Sequence, residues 1–359
     1  MQVTNGWYKR MGERIWTPWF IKFIYSRGYF NIYTNFQHER ALSVSHRDAG
    51  VNYGKTAGPD SQLLDGSSLD FNLLEMQPLS NLKWYDYCFR EVLSGRIGRT
   101  LDEVGSILRT VQKDRSVLLV TIFGESGTIT RNMLCHLERL NIRNYILIGP
   151  GSDFLFDLAR RGHPVIDADQ FFNYLRAQRV MGFQHSSAEL MKNVLVNGYV
   201  IKKCLEDGYD SLTVDANVLF LSKVQEFINP SSDMCAGKRL GFFFVRSYSS
   251  AQEIWADLLK KVAATIGKGS LQGESTNFVY FVVKFLEQNG AGILRVDEAS
   301  IGIQIRANAF NQSSLEAGKK MVYWSTDTSL DLIQRRLQEL SLWVVDGDSS
   351  CTAVVCHVS

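Results

Sequence analysis

The sequence predicts an α/β fold: a mostly parallel sheet flanked by helices on both faces, behind a loosely structured N-terminal extension. Three observations carry that expectation. The chain has 359 residues, 45% of them hydrophobic and 21% charged, a globular balance with enough length for a large core that needs no disulfide staples. Val117 to Phe123 (VLLVTIF) is a continuous apolar run of strand length, the signature of a strand buried on both faces. Apolar runs of this kind then alternate with segments of helical periodicity, the pattern of βαβ units.

The elements follow in order. Residues 1 to about 80 show weak periodicity, and the polar, glycine-containing stretch Gln37 to Ser68 reads as loop. Leu101, Val104, Leu108 and Val111 recur at spacings of three and four, which predicts a helix over 101–111. After the strand at 117–123, Met133, Leu134, Leu137 and Leu140 define a helix over 130–140. Tyr145 to Ile148 is a second strand, Gly151 to Arg161 a helix, and Pro164 to Ile166 a third strand. A long helix from Ala188 to Glu206 stops near Gly208, and Ser211 to Leu221 begins as a buried strand. Gly241 to Val245 is a further strand. Ala251 to Ile266 and Ser275 to Gln288 are helices, the second ended by Asn289-Gly290.

Charge and targeting narrow the function classes. Lys+Arg 39 against Asp+Glu 37 leaves +2, no electrostatic footprint for nucleic acid. No stretch of 18 apolar residues occurs, so no transmembrane span is expected. Ile15 to Phe30 is aromatic and apolar but interrupted by Pro18, Lys22 and Arg27. It either packs on the domain, lies on a membrane surface, or belongs to a longer N-terminal region. The six cysteines are scattered without a CxxC pair. Cys135 and Cys204 fall in apolar helical patterns and read as buried free thiols, while Cys351, Cys356 and His357 read as a strand end rather than a metal site.

In a parallel sheet, ligands bind beyond the carboxyl ends of the strands. The first strand runs into Gly124-Glu125-Ser126-Gly127, which is either a tight turn or a place where the backbone approaches a nucleotide. It is not GxGxxG, and no acid closes a second strand about twenty residues on, which argues against a nicotinamide dehydrogenase. A GxSxG elbow is missing too, which disfavours an α/β hydrolase. The more informative stretch is Gly208-Tyr209-Asp210, then Asp215-Ala216-Asn217, then Val218-Leu219-Phe220-Leu221. A carboxylate inside a buried strand costs several kcal/mol, in order of magnitude, unless it is paired or bound to a cation. On an extended strand Asp215 and Asn217 point to one face and could together hold Mn²⁺ or Mg²⁺, which prefer oxygen ligands. The alternative is an Asx-turn capping the strand end.

From about Ser116 to Asp346 the layout resembles the plant nucleotide-diphospho-sugar transferases of glycosyltransferase family 77, which have a GT-A-like fold. The resemblance rests on the Gly208-Tyr209-Asp210 and Asp215-Ala216-Asn217 steps and the Gly241-Phe242 strand with Ser247 after it. It continues through Trp255 in the following helix, Glu274 with Phe278 four on, and Met321 to Trp324 before Leu342-Trp343. It implies transfer of a pentose or hexose, with retention, from a nucleotide-sugar donor to a hydroxyl of a glycan or glycoprotein acceptor. Asp215 and Asn217 would hold the cation, and Asp215 and Glu274 would be the catalytic carboxylates, Glu274 on the acceptor side. Gly124, Glu125, Ser126 and Gly127 would face the base or ribose, and Lys238 or Arg239 the phosphates. Location in the Golgi is implied by the same resemblance.

Departures from the family pattern bear on activity. The second acid of DxD is Asn217, Lys238-Arg239-Leu240 stands where the family has an asparagine, and the late histidine is replaced by Tyr323 or Trp324. These changes keep open a second reading: a catalytically degenerate GT-A module that binds glycan or partners an active glycosyltransferase. Four segments are expected: an extension over 1–80, a helical lead-in over 81–115, the transferase-like domain over 116–346 and a tail over 347–359.

Overall fold

The computed structural model describes residues 19–20, 23–24, 27, 29, 31, 40–41, 62–63, 84–85, 91–92, 96–124, 126–178, 189–223, 233–237, 239–267, 278–288, 292–306, 318–325, 327–346 and 351. The chain divides into two compact units, Tyr29–Trp84 and a larger one made of Met1–Gly28 with Tyr85–Ser359. In the smaller unit Arg40–Ala41 pairs in parallel with Gln62–Leu63. That pairing falls inside the stretch read from sequence as loop, because two-residue strands leave no alternation to detect.

The larger unit is α/β, and its sheet is mostly parallel. In chain order its elements begin β1 (Ile97–Gly98), α1 (Leu101–Val111), β2 (Ser116–Thr121), α2 (Gly127–Arg139), β3 (Tyr145–Gly149) and α3 (Asp153–Arg160). They continue β4 (Val165–Asp167), α4 (Ala168–Ala177), α5 (Glu189–Glu206), β5 (Asp210–Asp215), β6 (Val218–Phe220), β7 (Met234–Gly237) and β8 (Phe242–Val245). The last are α6 (Ser249–Gly267), α7 (Phe278–Gln288), β9 (Leu294–Arg295), α8 (Glu298–Ile301), β10 (Gly302–Gln304), β11 (Met321–Tyr323) and α9 (Leu330–Glu339).

Eight strands form one sheet in the order β9-β7-β8-β5-β2-β3-β4-β1, and β6-β11-β10 form a second, smaller one. Within the large sheet only β8 runs against its neighbours; it pairs antiparallel with both β7 and β5. The other pairings, β7 with β9, β5 with β2, and onward to β1, are parallel.

Period-two alternation divides the core into two layers. In β2, Val117 and Leu119 enter the layer built with α1, α4, α5, α6 and α7. Leu118 and Val120 enter the layer built with α2, α3, α9 and the small sheet. Both faces of the strand are therefore dry, which is why its sequence reads as an unbroken apolar run.

Helix starts obey short-range rules. Thr100 and Glu103 form a reciprocal capping box at α1. Ser126, Ser152 and Asp167 cap α2, α3 and α4, which follow β2, β3 and β4.

Three sequence expectations are corrected. The predicted strand 211–221 is two strands, broken at Ala216–Asn217, because the second half leaves the large sheet to pair antiparallel with β11. Cys135 is not a free thiol: it is bonded to Cys351, 216 residues away, with the two Cα atoms 5.7 Å apart. Helical periodicity reports that Cys135 is buried but not what lies opposite, and pairing partners are not deducible from spacing. The helix after β2 begins at Gly127, three residues before the apolar periodicity does, because Ser126 supplies its cap. Cys204 is a buried free thiol as expected. Cys356 and His357 lie outside the described residues.

Two buried histidines tie the fold to pH. His136 Nε2 lies 2.8 Å from the Leu342 carbonyl, and burial pulls its pKa down to about 4. His163 Nδ1 lies 2.6 Å from the Tyr145 hydroxyl, and burial together with Arg161 and Arg131 lowers it to about 4 as well. Both are neutral in the folded chain at pH 7, whereas an unfolded histidine protonates near 6.5. The unfolded state then binds the extra protons, so stability is full above about pH 6.5 and is lost as pH falls toward about 4. Melting curves between pH 7 and 4 should show this fall. His136→Gln, which can still donate to Leu342, should make it shallower.

Candidate functional site

The strand order creates a switch point. From β2 the chain steps through α2 to β3 and through α3 to β4, all on one side, and then returns to β5 on the other side of β2. Connections leaving β2 and β5 in opposite directions open a crevice at their carboxyl ends. Thr121, the last residue of β2, is the register partner of Asp215, the last residue of β5.

Asp215 is buried, 6% exposed. Leu212 and Val214 enter the α2 layer, so alternation places Ser211, Thr213 and Asp215 on the α5 side. Its backbone N–H donates to the Gly241 carbonyl at 2.9 Å, and the Ala216 N–H donates to the Thr121 carbonyl at 2.9 Å. These bonds fasten the turn to the strands on either side.

Asn217 does not share a strand face with Asp215, since a turn separates β5 from β6. Its Nδ2 donates to the Trp324 carbonyl at 2.7 Å, and the Trp324 N–H donates back to the Asn217 carbonyl at 3.2 Å. The amide thus locks the small sheet to the switch point. Its Oδ1 is buried, and among the described residues no donor reaches it. A Cβ at position 241 would stand 2.9 Å from that oxygen and 3.5 Å from Asp215 Cβ, and Gly241 has φ +65°. The glycine is therefore required twice, by its left-handed backbone and by the space it leaves beside both side chains. Gly241→Ala should destabilise the fold by about 1–3 kcal/mol, measured by urea denaturation, and should crowd Asn217.

Asp215 and Asn217 Oδ1 are the oxygens at this turn that could hold a divalent cation. Asn217 Oδ1 is a buried acceptor without a donor among the described residues, Asp215 supplies a carboxylate, and Gly241 leaves a cradle that a Cβ would fill. Among the described residues no group of three or more His, Cys, Asp or Glu converges; Mg²⁺ and Mn²⁺ take oxygen ligands.

The remaining sequence candidates divide. Gly124 has φ +71° with open space where a Cβ would be, so its backbone conformation selects glycine. Ser126 is the N-cap of α2, accepting from the Thr128 N–H. A Cβ on Gly127 would stand 3.2 Å from the Phe154 ring, so this glycine lets β2's loop close on α3. Arg239 lies in the β7–β8 connection beside Gly241, and its N–H donates to Glu298 Oε1 at 2.8 Å. Tyr323, which with Trp324 is one of the two residues read as replacing a late histidine, feels the charges of Glu298, Arg239 and Arg306. Burial and Glu298 raise its phenol while the two arginines lower it. Glu125, Lys238 and Glu274 lie outside the described residues.

Sequence reasoning passed over a buried polar chain on the α5 side. Thr121 Oγ1 donates to Asn197 Oδ1 at 3.3 Å, and Asn197 Nδ2 donates to the Asn193 carbonyl and Oδ1 at 2.9 and 2.7 Å. The signal was present: Asn193 and Asn197 stand four apart, about one helical turn, within the apolar stretch Val194 to Ile201 and its N-terminal flank. Beyond them Lys192 at the start of α5 pairs with Asp169 at the start of α4, and Asp169 also accepts the Gly151 N–H at 2.7 Å.

No family model and no curated protein matches the chain. Among solved structures it is similar to the apo form of the WbbM bifunctional glycosyltransferase, at 11% identity and a TM-score of 0.39, covering 59% of this chain and 46% of that one. It is also similar to a glycosyltransferase involved in glycosylation of the major capsid of PBCV-1, at 12% identity and a TM-score of 0.34, covering 63% of this chain and 99% of that one. The chain thus spans less than half of the WbbM chain. At these scores neither likeness carries a donor, an acceptor or a reaction to this chain.

Proposed function

We propose that this chain binds a nucleotide-diphospho-sugar at the β2–β5 switch point and transfers its sugar to an acceptor hydroxyl on a glycan or glycoprotein. The observation that carries the reading is the buried carboxylate of Asp215, in register with Thr121 where the crossovers diverge. The order of motifs from Gly208 to Trp324 supports the same class by its resemblance to family 77.

The hard step in such a transfer is departure of the nucleoside diphosphate. A bound Mn²⁺ or Mg²⁺ supplies electrostatic stabilisation of that leaving group. Asp215 and Asn217 Oδ1 are the residues that would hold it. Arg239 adds positive charge from the β7–β8 connection, with Lys238 next to it in sequence. Gly124 to Gly127 face the base or ribose, and Glu274 serves as the acceptor-side carboxylate.

A second reading has its own observation. Asn217 is neutral and its amide nitrogen is spent on Trp324, which favours a degenerate module that binds donor or glycan, or partners an active glycosyltransferase, without turnover. The Cys135–Cys351 disulfide supports an oxidising compartment, and the Golgi lumen is the one we propose. No helix among the described residues is long and apolar enough to cross a membrane.

Calorimetric titration with UDP and GDP, with and without Mn²⁺, tests the proposal. Cation-dependent heat is expected, and absence of binding at every cation concentration overturns it. Release of nucleoside diphosphate from a bound donor then separates the enzyme from the module.

A further inference from the structure

We infer that Arg306, together with Arg239, seats the diphosphate of the nucleotide on the small-sheet side of the Asp215–Asn217 turn. The inference rests on the sugar-transfer reading and adds a residue that would hold its donor. Register brings the parts to one end. Val218, the first residue of β6, pairs with Tyr323, the last of β11, and Tyr323 pairs with Gln304, the last of β10. The Ile305 N–H carries the ladder one step on, donating to the Tyr323 carbonyl at 2.8 Å. Val218 directly follows Asn217, so β10 and β11 both end beside the turn. In the large sheet Phe242, at the start of β8, pairs with Val214. That pairing brings the β7–β8 hairpin, and Arg239 with it, to the same end.

Alternation sets which side chains are presented. Ile303 and Ile305 are buried, whereas Gly302, Gln304 and Arg306 occupy the opposite, more open face. Arg306 folds back along that face, its Nε and Nη2 donating to Gln304 Oε1 at 2.8 and 2.5 Å. A Cβ on Gly302 would stand 2.3 Å from Leu240 Cδ2 and 2.9 Å from Tyr323 Cε1. The Tyr323 ring and the neighbour of Arg239 therefore meet over this glycine. Both arginines are exposed. Among the described residues neither guanidinium pairs with a carboxylate, and the Arg306 fork is spent on a neutral amide. Glu298 is the opposing acid, and its Oε1 accepts the Arg239 backbone N–H. Two cations against that carboxylate leave an excess of positive charge around the Tyr323 phenol, which feels all three. A guanidinium fork matches phosphate oxygens and gains more from them than from an amide. A diphosphate, with two charged groups side by side, suits two such cations better than a neutral sugar or base does.

The test is calorimetric titration of the full chain with UDP and GDP, and with UMP and GMP, at fixed Mn²⁺. The parent should prefer the diphosphates. Arg306→Gln should bind the preferred diphosphate about tenfold or more weakly, so that its margin over the monophosphate shrinks. The fall of diphosphate affinity with added salt should also flatten in that variant. Arg306→Lys should recover part of the loss, since it restores the charge but not the fork. Circular dichroism and melting should be unchanged in both variants, because Arg306 is exposed. A parent that binds no nucleotide at any cation concentration overturns the sugar-transfer reading, and this inference with it. A parent that binds a diphosphate no better than Arg306→Gln does overturns this inference alone. So does a variant that loses monophosphate and diphosphate in equal proportion with its salt dependence intact.

Discussion

Asp215→Asn is expected to abolish cation-dependent binding of nucleoside diphosphates while the chain still folds cooperatively. The substitution keeps the shape of a side chain that is 6% exposed and removes only its charge. A unit charge about 4 Å from a cation contributes roughly 4 kcal/mol at an effective dielectric of about 20, which corresponds to about a thousandfold in affinity. Asn217 cannot make up the loss, because an amide oxygen offers a dipole and its nitrogen is held by Trp324. Titration calorimetry with UDP or GDP at fixed Mn²⁺ measures the effect, and circular dichroism checks the fold. Undiminished affinity in the variant would remove Asp215 from the binding site and leave only the architecture standing.

Breaking the Cys135–Cys351 disulfide should have the largest effect on stability. The bond closes a span of 216 residues, and constraint of the unfolded chain over a loop of that size is worth about 5 kcal/mol in the chain-entropy account. Denatured-state structure makes about 3–5 kcal/mol the range to expect. The tail is held to α2 by more than sulfur. Asn132 Nδ2 and His136 Nε2 both meet the Leu342 carbonyl, Asn132 Oδ1 accepts the Val344 N–H at 2.7 Å, and Val344 and Val345 pack beside the disulfide. Cys351→Ser should therefore lower the denaturation midpoint while leaving the sheet assembled. Urea unfolding under oxidising and reducing conditions should separate the parent chain but not the variant.

The fold was legible where one physical signal dominated. The buried run in β2 and the i, i+3, i+4 spacing of α1 report burial directly, and α1 has the predicted bounds. Short elements were not legible. β1, β7, β9 and β10 span two to four residues, too few for a period to show, and they exist because neighbouring strands supply partners. Helix α4 was passed over although Asp167 caps it and Phe171, Phe172 and Leu175 are buried.

The burial of Asp215 was legible in the sequence, because an acid within an apolar run is anomalous on energetic grounds. It misplaced Asn217 relative to Asp215, because nothing local announces that a strand will change sheets. That turn depends on Trp324, 107 residues away. The disulfide was hidden for the same reason: long-range pairing leaves no periodic trace.

The reversed direction of β8 has a consequence for how such a protein can diversify. A purely parallel sheet connects its strands through crossover helices, so changing a loop at one rim disturbs a packed layer. The hairpin between β7 and β8 instead delivers Arg239, Leu240 and Gly241 to the rim and returns at once. Arg239, which is exposed, can thus be exchanged without touching a crossover, provided buried Leu240 and Gly241 stay. Natural variants with new partners should differ there first, as a lock is rekeyed by changing its pins and leaving the cylinder alone.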